Sequence, residues 1–521
     1  MRKKPTSQSA PATAPAGTED TRPLHGHVRG GGLLRGSMAL ALGTGLLCAC
    51  AVGPNYKRPH DSAPEAYREG PPEGWKQGQP QDLISRGSWW SIYEDSVLDD
   101  LEKQVDVSNQ TLKASEAAFR QAVAVLQEAR ANFYPVLTLG AAATRTSTGS
   151  STHGSTTAGG TGITTGVTAG TIENQFSIGP SVSWVPDVWG RVRRLVESST
   201  ASAQASAADL ASARLSIQAQ LAQDYFELRV ADELKRLLEA TVTAYQRTVD
   251  ITTNRYAVGV AAKSDVVTAR TQLENTRAQA VAVESQRAQL EHAIAALVGK
   301  APADFSLAPA QLSGSVPSVP FGVPSTLLER RPDIAAAERQ LAAANAQIGV
   351  AIAAYFPTLT LSASGGFASS TIGKLLDASS REWSAGPQVG ATLFDGGARS
   401  AQVAAARAAY DMSAANYRQA IITGFQQVED NLSALRVLAR QAEVQNRAVQ
   451  LAREAEQLTL NAYKAGVVDY TTVVQSQATA LSSEQSALTI RQSRLTASVS
   501  LIEALGGGWT SEQLPDKKQL D

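Results

Sequence analysis

NFYPVLTL at residues 132–139 returns as AYFPTLTL at residues 354–361. Each version has an aromatic pair, a proline, and then a Thr/Leu-rich run of extended-chain character. Proline cannot continue a helix and pushes the residue before it out of the helical region, so each motif reads as a helix end followed by a strand. Other pairs follow. Asp187-Val-Trp-Gly190-Arg191 matches Asp395-Gly-Gly397-Ala-Arg399 at an offset of 208. Tyr256-Ala-Val-Gly259-Val matches Tyr463-Lys-Ala-Gly466-Val at 207, and Ala-Leu297-Val-Gly matches Ala-Leu505-Gly-Gly at 208. The chain is therefore two copies of one unit. The Pro-to-Asp interval is 52 residues in the first copy and 38 in the second. The excess coincides with TSTGSSTHGSTTAGGTGITTG (146–166), a Thr/Ser/Gly segment that reads as a lengthened hairpin tip without a packed core.

Each unit reads helix, two strands, helix, helix. The expected strands are 136–145 and 175–184 in the first copy, and 358–368 and 384–394 in the second. About ten residues is the length of a tilted strand crossing a bilayer. No proline lies between Pro186 and Pro302, nor between Pro387 and Pro515. A helix from Gly190 to Ala257 would extend roughly 100 Å at 1.5 Å per residue. LASARLSIQAQLAQDYFELRVADELKRLLEATV carries apolar residues at three- and four-residue spacing, with small and polar residues between, a coiled-coil-like seam. Beyond residue 50 no run of 18 apolar residues occurs, so only the strands can cross a membrane. Four strands cannot close a barrel, and an open edge cannot face lipid, so several copies must share one barrel.

Composition narrows the function. Lys+Arg 47 against Asp+Glu 48 gives a net charge of −1 and no electrostatic case for nucleic acid. His25, His27, His60, His153 and His292 have no metal-ligand spacing. No nucleophile or paired-carboxylate constellation marks an enzyme, so no catalytic residue, metal or cofactor is expected.

Both cysteines lie in LLCAC (46–50), at the end of a Leu/Ala/Gly stretch preceded by Arg29 and Arg35. A charged segment before a short apolar core reads as an export signal, too short to span a bilayer. Leu47-Cys48-Ala49-Cys50 resembles a bacterial lipobox. Cys50 would become the mature N-terminus and carry diacylglycerol and palmitate. Ala51 after it, where an inner-membrane retention signal has Asp, favours the outer membrane. The long preamble suggests an over-extended start, with Val28 as an alternative initiator. Six basic and two acidic residues leave with residues 1–49, so the mature chain carries 41 basic against 46 acidic residues. The expected division is signal 1–49, lipidated segment 50–100, first repeat 101–300, linker 301–330, second repeat 331–507 and tail 508–521.

The motifs taken together resemble the outer membrane efflux proteins, the TolC-like outer membrane factors, in their NodT-type lipoprotein branch. The resemblance rests on Gly53-Pro-Asn-Tyr-Lys-Arg-Pro59, Trp89-Trp90 with Leu98 and Leu101, and Leu327-Leu-Glu-Arg-Arg-Pro-Asp-Ile-Ala-Ala-Ala-Glu338. Tyr355-Phe356-Pro357 and the stretches around Gly259 and Gly466 add to it. It implies a mainly α protein with a membrane β portion: a homotrimer giving four strands per chain to one outer-membrane β-barrel, continued by a long α-helical periplasmic barrel. It implies a passive conduit that docks a periplasmic adaptor and an inner-membrane pump of the resistance-nodulation-division class. By resemblance, Val258, Gly259, Val260, Ala465, Gly466 and Val467 form the periplasmic tip that touches the adaptor. Asp265 and Asp469, just beyond the turns, would form carboxylate rings in a threefold assembly, or else serve as helix N-caps. Gln475 stands where some relatives place an acidic constriction, so closure by amide packing or by Tyr463 and Tyr470 is expected instead. The alternative is a lipid-anchored periplasmic coiled-coil adaptor or scaffold.

Overall fold

The computed structural model describes residues 51–59, 64, 66–69, 88–147, 151–155, 164–168, 172–312, 316–317 and 329–520. The signal segment, Val28, Cys48, Cys50 and part of the linker lie outside these residues. After a 3-10 turn at Trp89–Tyr93 come α1 (Ser96–Ser108), α2 (Gln110–Ala131), β1 (Val136–Ser147), β2 (Ser151–Ser155), β3 (Thr164–Thr168) and β4 (Ile172–Trp184). Next are α3 (Arg191–Ala257) and α4 (Lys263–Leu297), then α5 (Pro332–Ala353), β5 (Thr358–Ser369), β6 (Arg381–Gly390), α6 (Ala398–Lys464) and α7 (Tyr470–Ala504). The duplication extends to element length: α3 and α6 have 67 residues each, and α4 and α7 have 35.

Four strands form one antiparallel sheet in the order β1-β4-β5-β6, with the two hairpins joined through β4 and β5. The outer edges of β1 and β6 carry no partner strand among the described residues. Where β4 passes β5 the backbones touch: a Cβ on Gly179 would lie 2.2 Å from Gly365 O, and one on Gly366 would lie 2.4 Å from Ile178 O. Two departures from the sequence reading appear. The fourth strand runs 381–390 instead of 384–394. It ends early because the chain turns into a capped elbow, where Asp395 accepts from Gly397 N and from Arg399, whose guanidinium also reaches Thr392 O. The 146–166 tip is not all loop: β2 and β3 pair within it, from Ser151↔Thr168 to Ser155↔Thr164. Thr-rich backbone favours extension, so the hairpin ladder resumes.

Both strand-to-helix elbows use one device. Asp187 accepts from Val192 N and Arg193 N and pairs with the Arg193 guanidinium at 3.1 Å, as Asp395 does with Arg399. The partner is Arg193, two residues beyond the Arg191 that the alignment of copies would select. Gly190 and Gly397 precede the two long helices at φ +81° and +91°, a region open to glycine.

The helices run as four staves. Asn109 Nδ2 donates to Leu297 O at 2.7 Å, and Ser108 Oγ donates to Val298 O. The end of α4 thus meets the start of α2, which leads into β1. Arg331 Nη1 donates to Ala504 O at 3.0 Å, so the end of α7 meets the start of α5, which leads into β5. α3 and α6 are unbroken beneath β4 and β6. Packing gives the order α4–α3–α7–α6 in the half remote from the sheet and α2–α3–α5–α6 in the near half.

Midway, a belt of Trp89, Leu98, Leu221, Tyr225, Phe226, Leu228, Val428, Leu432 and Val499 forms the largest core cluster. Burying each such side chain is worth about 1.5–3 kcal/mol. The linker is strapped to the first copy by buried charges. Asp232 accepts from Arg229 (3.2 Å), Arg287 (2.7 Å) and Ala310 N (3.1 Å), while Arg229 also holds Ala308 O. The N-terminal segment crosses the upper helices. Buried Arg194 donates to Val52 O, Gly53 O and Asn55 Oδ1, Asn345 Nδ2 to Pro54 O, and Tyr56 OH to Glu338 at 2.5 Å. Among the described residues no helix is long and apolar enough to cross a membrane.

Candidate functional site

The ends of α3 and α6 remote from the sheet turn back into α4 and α7, and these turns hold most of the residues singled out above. The same hydrogen bonds build both. Gly259 N donates to Tyr256 O and Val260 N to Arg255 O; Gly466 N donates to Tyr463 O and Val467 N to Ala462 O. This is the Schellman pattern, in which a left-handed residue lets the chain satisfy the last helical carbonyls. Gly259 and Gly466 adopt φ +78° and +80°, so the glycine of each Tyr-x-x-Gly-Val motif is a backbone requirement. The flanking valines point outward: Val258, Val260 and Val467 are 74%, 62% and 75% exposed, and Ala465 and Gly466 are exposed too. Each turn therefore presents an apolar knuckle to solvent.

Behind the knuckles Tyr245, Val249, Ala269, Leu273, Tyr463, Tyr470 and Val473 form a closed cluster. The Tyr463 and Tyr470 rings lie 5.4 Å apart, and both residues are buried. Burial, then the neighbouring Tyr463 and Tyr245, pushes the Tyr470 phenol well above its ordinary range. The structure thus places both tyrosines inside the protomer instead of on a free face. Packing from four helices withdraws the rings that sequence spacing left available for closure. Tyr256, the first copy's counterpart of Tyr463, is 45% exposed, so the copies differ at this point.

Asp265 and Asp469 are not equivalent. Asp469 is the N-cap of α7, exposed, with no side-chain cap bond. Asp265 lies in the first turn of α4, three residues past the N-cap Ala262, and is partly buried. One turn into α7, Gln475 is exposed. Counted from the N-cap of its own helix, Asp265 lies three residues in, about 4.5 Å of helical rise, whereas Asp469 is itself the cap.

One functional residue escaped the sequence reading. Arg255 Nη1 donates to Lys464 O at 2.9 Å, and its guanidinium lies 4.7 Å from the Tyr463 ring centroid. It pins the first turn to the second. The duplication places Ala462 at the matching position, and that mismatch between copies is the signal that could have revealed it. Among the described residues no cluster of His, Cys, Asp and Glu could hold a metal.

Comparison with known proteins places this architecture. The outer membrane efflux protein family matches residues 101–300 and 323–507. The chain belongs to this family. It is 30% identical to the probable efflux pump outer membrane protein TtgC of Pseudomonas putida, over 91% of this chain and 95% of that one. It is 27% identical to nodulation protein T of Rhizobium leguminosarum bv. trifolii, over 78% and 84%. Among solved structures, the outer-membrane channel OprN matches with TM-score 0.78 and 28% identity, covering 88% of this chain and all of that one. The Campylobacter jejuni CmeC outer membrane channel matches at TM-score 0.79 and 23% identity, which speaks to fold alone. The mainly α fold with a membrane β portion, the outer-membrane location with extension into the periplasm, and the efflux-channel role stand on these matches, and the scaffold alternative falls.

Proposed function

We propose that this chain is the passive outer-membrane conduit of a three-part efflux system, and that three copies close the channel. The observation that carries the reading is the open four-stranded sheet continuous with the staves below it. β1 and β6 leave unpaired backbone groups on both edges, and in lipid only closure satisfies them. Three copies give a twelve-stranded barrel, an even number within the range of bacterial outer-membrane barrels. The helical staves prolong the bore through the periplasm.

Lipidation of Cys50 with diacylglycerol and palmitate agrees with the position of its neighbour. Val52 N donates to Trp189 O at 3.1 Å, and Ala51 packs against Gly190, so residues 51 and 52 sit at the β4–α3 elbow. That elbow is where strand gives way to helix, level with a membrane surface. Several acyl chains there hold firmly where one holds marginally.

The exposed knuckles Val258, Val260 and Val467, with Gly259, Ala465 and Gly466, suit docking of a periplasmic adaptor, behind which a pump of the resistance-nodulation-division class supplies the energy. Asp265, Asp469 and Gln475 are the candidate constriction, with carboxylates that repeat threefold and favour cations. Relatives named as toluene and antibiotic efflux components point to small, largely apolar cargo.

The test is reconstitution of the purified lipoprotein. A native mass of three chains and ion conductance in planar bilayers are expected; a monomer that conducts nothing overturns the reading. Palmitate labelling lost in Cys50→Ser supports the anchor, and labelling retained removes it.

A further inference from the structure

The short helix α1 closes the belt from one side, and its buried face contains an acid. Leu98, Leu101, Glu102 and Val105 are all buried, and Glu102 is 0% exposed. Neither Glu102 carboxyl oxygen has a hydrogen-bond partner among the described residues, and Asp99 Oδ1, one turn earlier, is buried and unpaired as well. A buried carboxylate without a donor loses its hydration and gains nothing in exchange, so a carboxyl group in such a place keeps its proton.

The charges around it push the same way. On α1 itself Asp99 stands three residues before Glu102 and Asp106 four after, while Asp100 and Lys103 are exposed and pair with each other. α3, packed against α1, brings Arg214, but that guanidinium is taken by Asp106 at 3.1 Å, and Gln218 Nε2 also donates to Asp106. The turn at Trp89–Tyr93 carries no charged side chain. Burial, then Asp106 and Asp99, raise the Glu102 acid well above the ordinary carboxylate range.

With the turn before it, α1 bolts three staves together. Its cap Asp95 accepts from Val97 N and Leu98 N, and also from Tyr225 OH of α3 at 2.7 Å. Tyr93 OH meets Ser498 Oγ of α7 at 2.7 Å. At the far end Ser108 Oγ and Asn109 Nδ2 donate to the closing carbonyls of α4, Val298 O and Leu297 O. The join between α4 and α2, and with it the join between the remote and near halves of the first copy, depends on α1 staying seated.

We propose that α1 is a proton-operated latch: it stays seated while Glu102 carries its proton and leaves the belt when that proton is lost, loosening the α4–α2 join. Glu102 is enclosed, so its ionised form reaches water only by drawing its helix face out of the belt. The sign follows from a folded-state value above the free one. The latch is fully held below the free carboxylate value and weakens as pH rises through the raised one. Between those two values one proton leaves per opening, so the open fraction grows about tenfold per pH unit. The latch does not depend on how many copies close the channel.

The test is amide hydrogen exchange on the purified lipoprotein from pH 5 to pH 8, with the intrinsic base catalysis of exchange divided out. Protection across Ser96–Ser108 should fall by about tenfold per pH unit within this range while α5 and α6 hold theirs. Glu102→Gln keeps the shape but has no proton to lose, so its profile should be flat. Glu102→Met makes the same test should the glutamine variant misfold. Asp106→Asn removes a charge that raises the acid, so its fall in protection should end at lower pH. A flat wild-type profile, a Glu102→Gln profile as steep as the wild type, or a parallel fall in α5 and α6 overturns the latch.

Discussion

Replacing Arg255 with alanine removes the side chain that joins the two tip turns, and the size of the effect follows from its contacts. The guanidinium hydrogen bond to Lys464 O is worth about 1.5 kcal/mol as a bond from a charged donor. Stacking over the Tyr463 ring adds about 0.5 kcal/mol at a partly exposed site. The loss of about 2 kcal/mol raises the population in which the turns separate by roughly 30-fold, at 1.4 kcal/mol per tenfold. Amide hydrogen exchange on the reconstituted channel reads this directly. Protection at the capped amides of Gly466 and Val467 should fall by about that factor, while amides in the belt around Tyr225 stay unchanged. Arg255→Lys keeps the charge but loses the planar fork and its stacking, so it should fall between the two. Unchanged protection in the alanine variant would show that each turn is held by its own glycine cap, and the pin would have no mechanical role.

Other substitutions test other parts of the architecture. Asp232→Ala leaves buried Arg229 without a carboxylate, leaves Arg287 with Glu291 alone and frees the linker at Ala310, so it should cost about 3 kcal/mol; a thermal melt and proteolysis near residues 305–312 would show it. Gly179→Ala places a methyl group inside the van der Waals radius of Gly365 O, so β4 and β5 must part, and native electrophoresis should lose the assembled band. Gly466→Val demands a left-handed backbone of a β-branched residue; tip protection should drop while the belt stays folded. Glu102 is fully buried and has no hydrogen-bond partner among the described residues, and burial, then Asp106 and Asp99, hold its acid well above the usual carboxylate range. A raised folded-state value means that stability is fully present below the unfolded value and lost as pH rises through the folded one. The melting temperature should therefore fall toward neutral pH, and Glu102→Gln should flatten that slope.

The duplication made most of the fold legible. Two Pro-bounded motifs located all four sheet strands, and proline-free stretches located the long helices. The strand at 384–394 was placed three residues late at its start and four at its end, because Leu393 and Phe394 look strand-like, whereas their elbow is set by hydrogen bonds around Asp395. At the tip, the glycines and exposed valines could be read from local motifs. The burial of Tyr463 and Tyr470 could not, because the helices that enclose them are brought together only by tertiary packing. The Arg255 pin spans 209 residues of sequence, beyond any spacing rule.

The Gly53–Tyr56 segment has a kinetic corollary. A Cβ on Gly53 would overlap Gly349 Cα, and the partners Glu338, Asn345 and Gly349 are synthesised nearly 300 residues later. Residues 53–56 therefore have no complete seat until most of the chain has emerged. Whatever escorts this polypeptide to its destination must handle an early segment that settles among the last, so its nascent form stays pliable until the second copy is made.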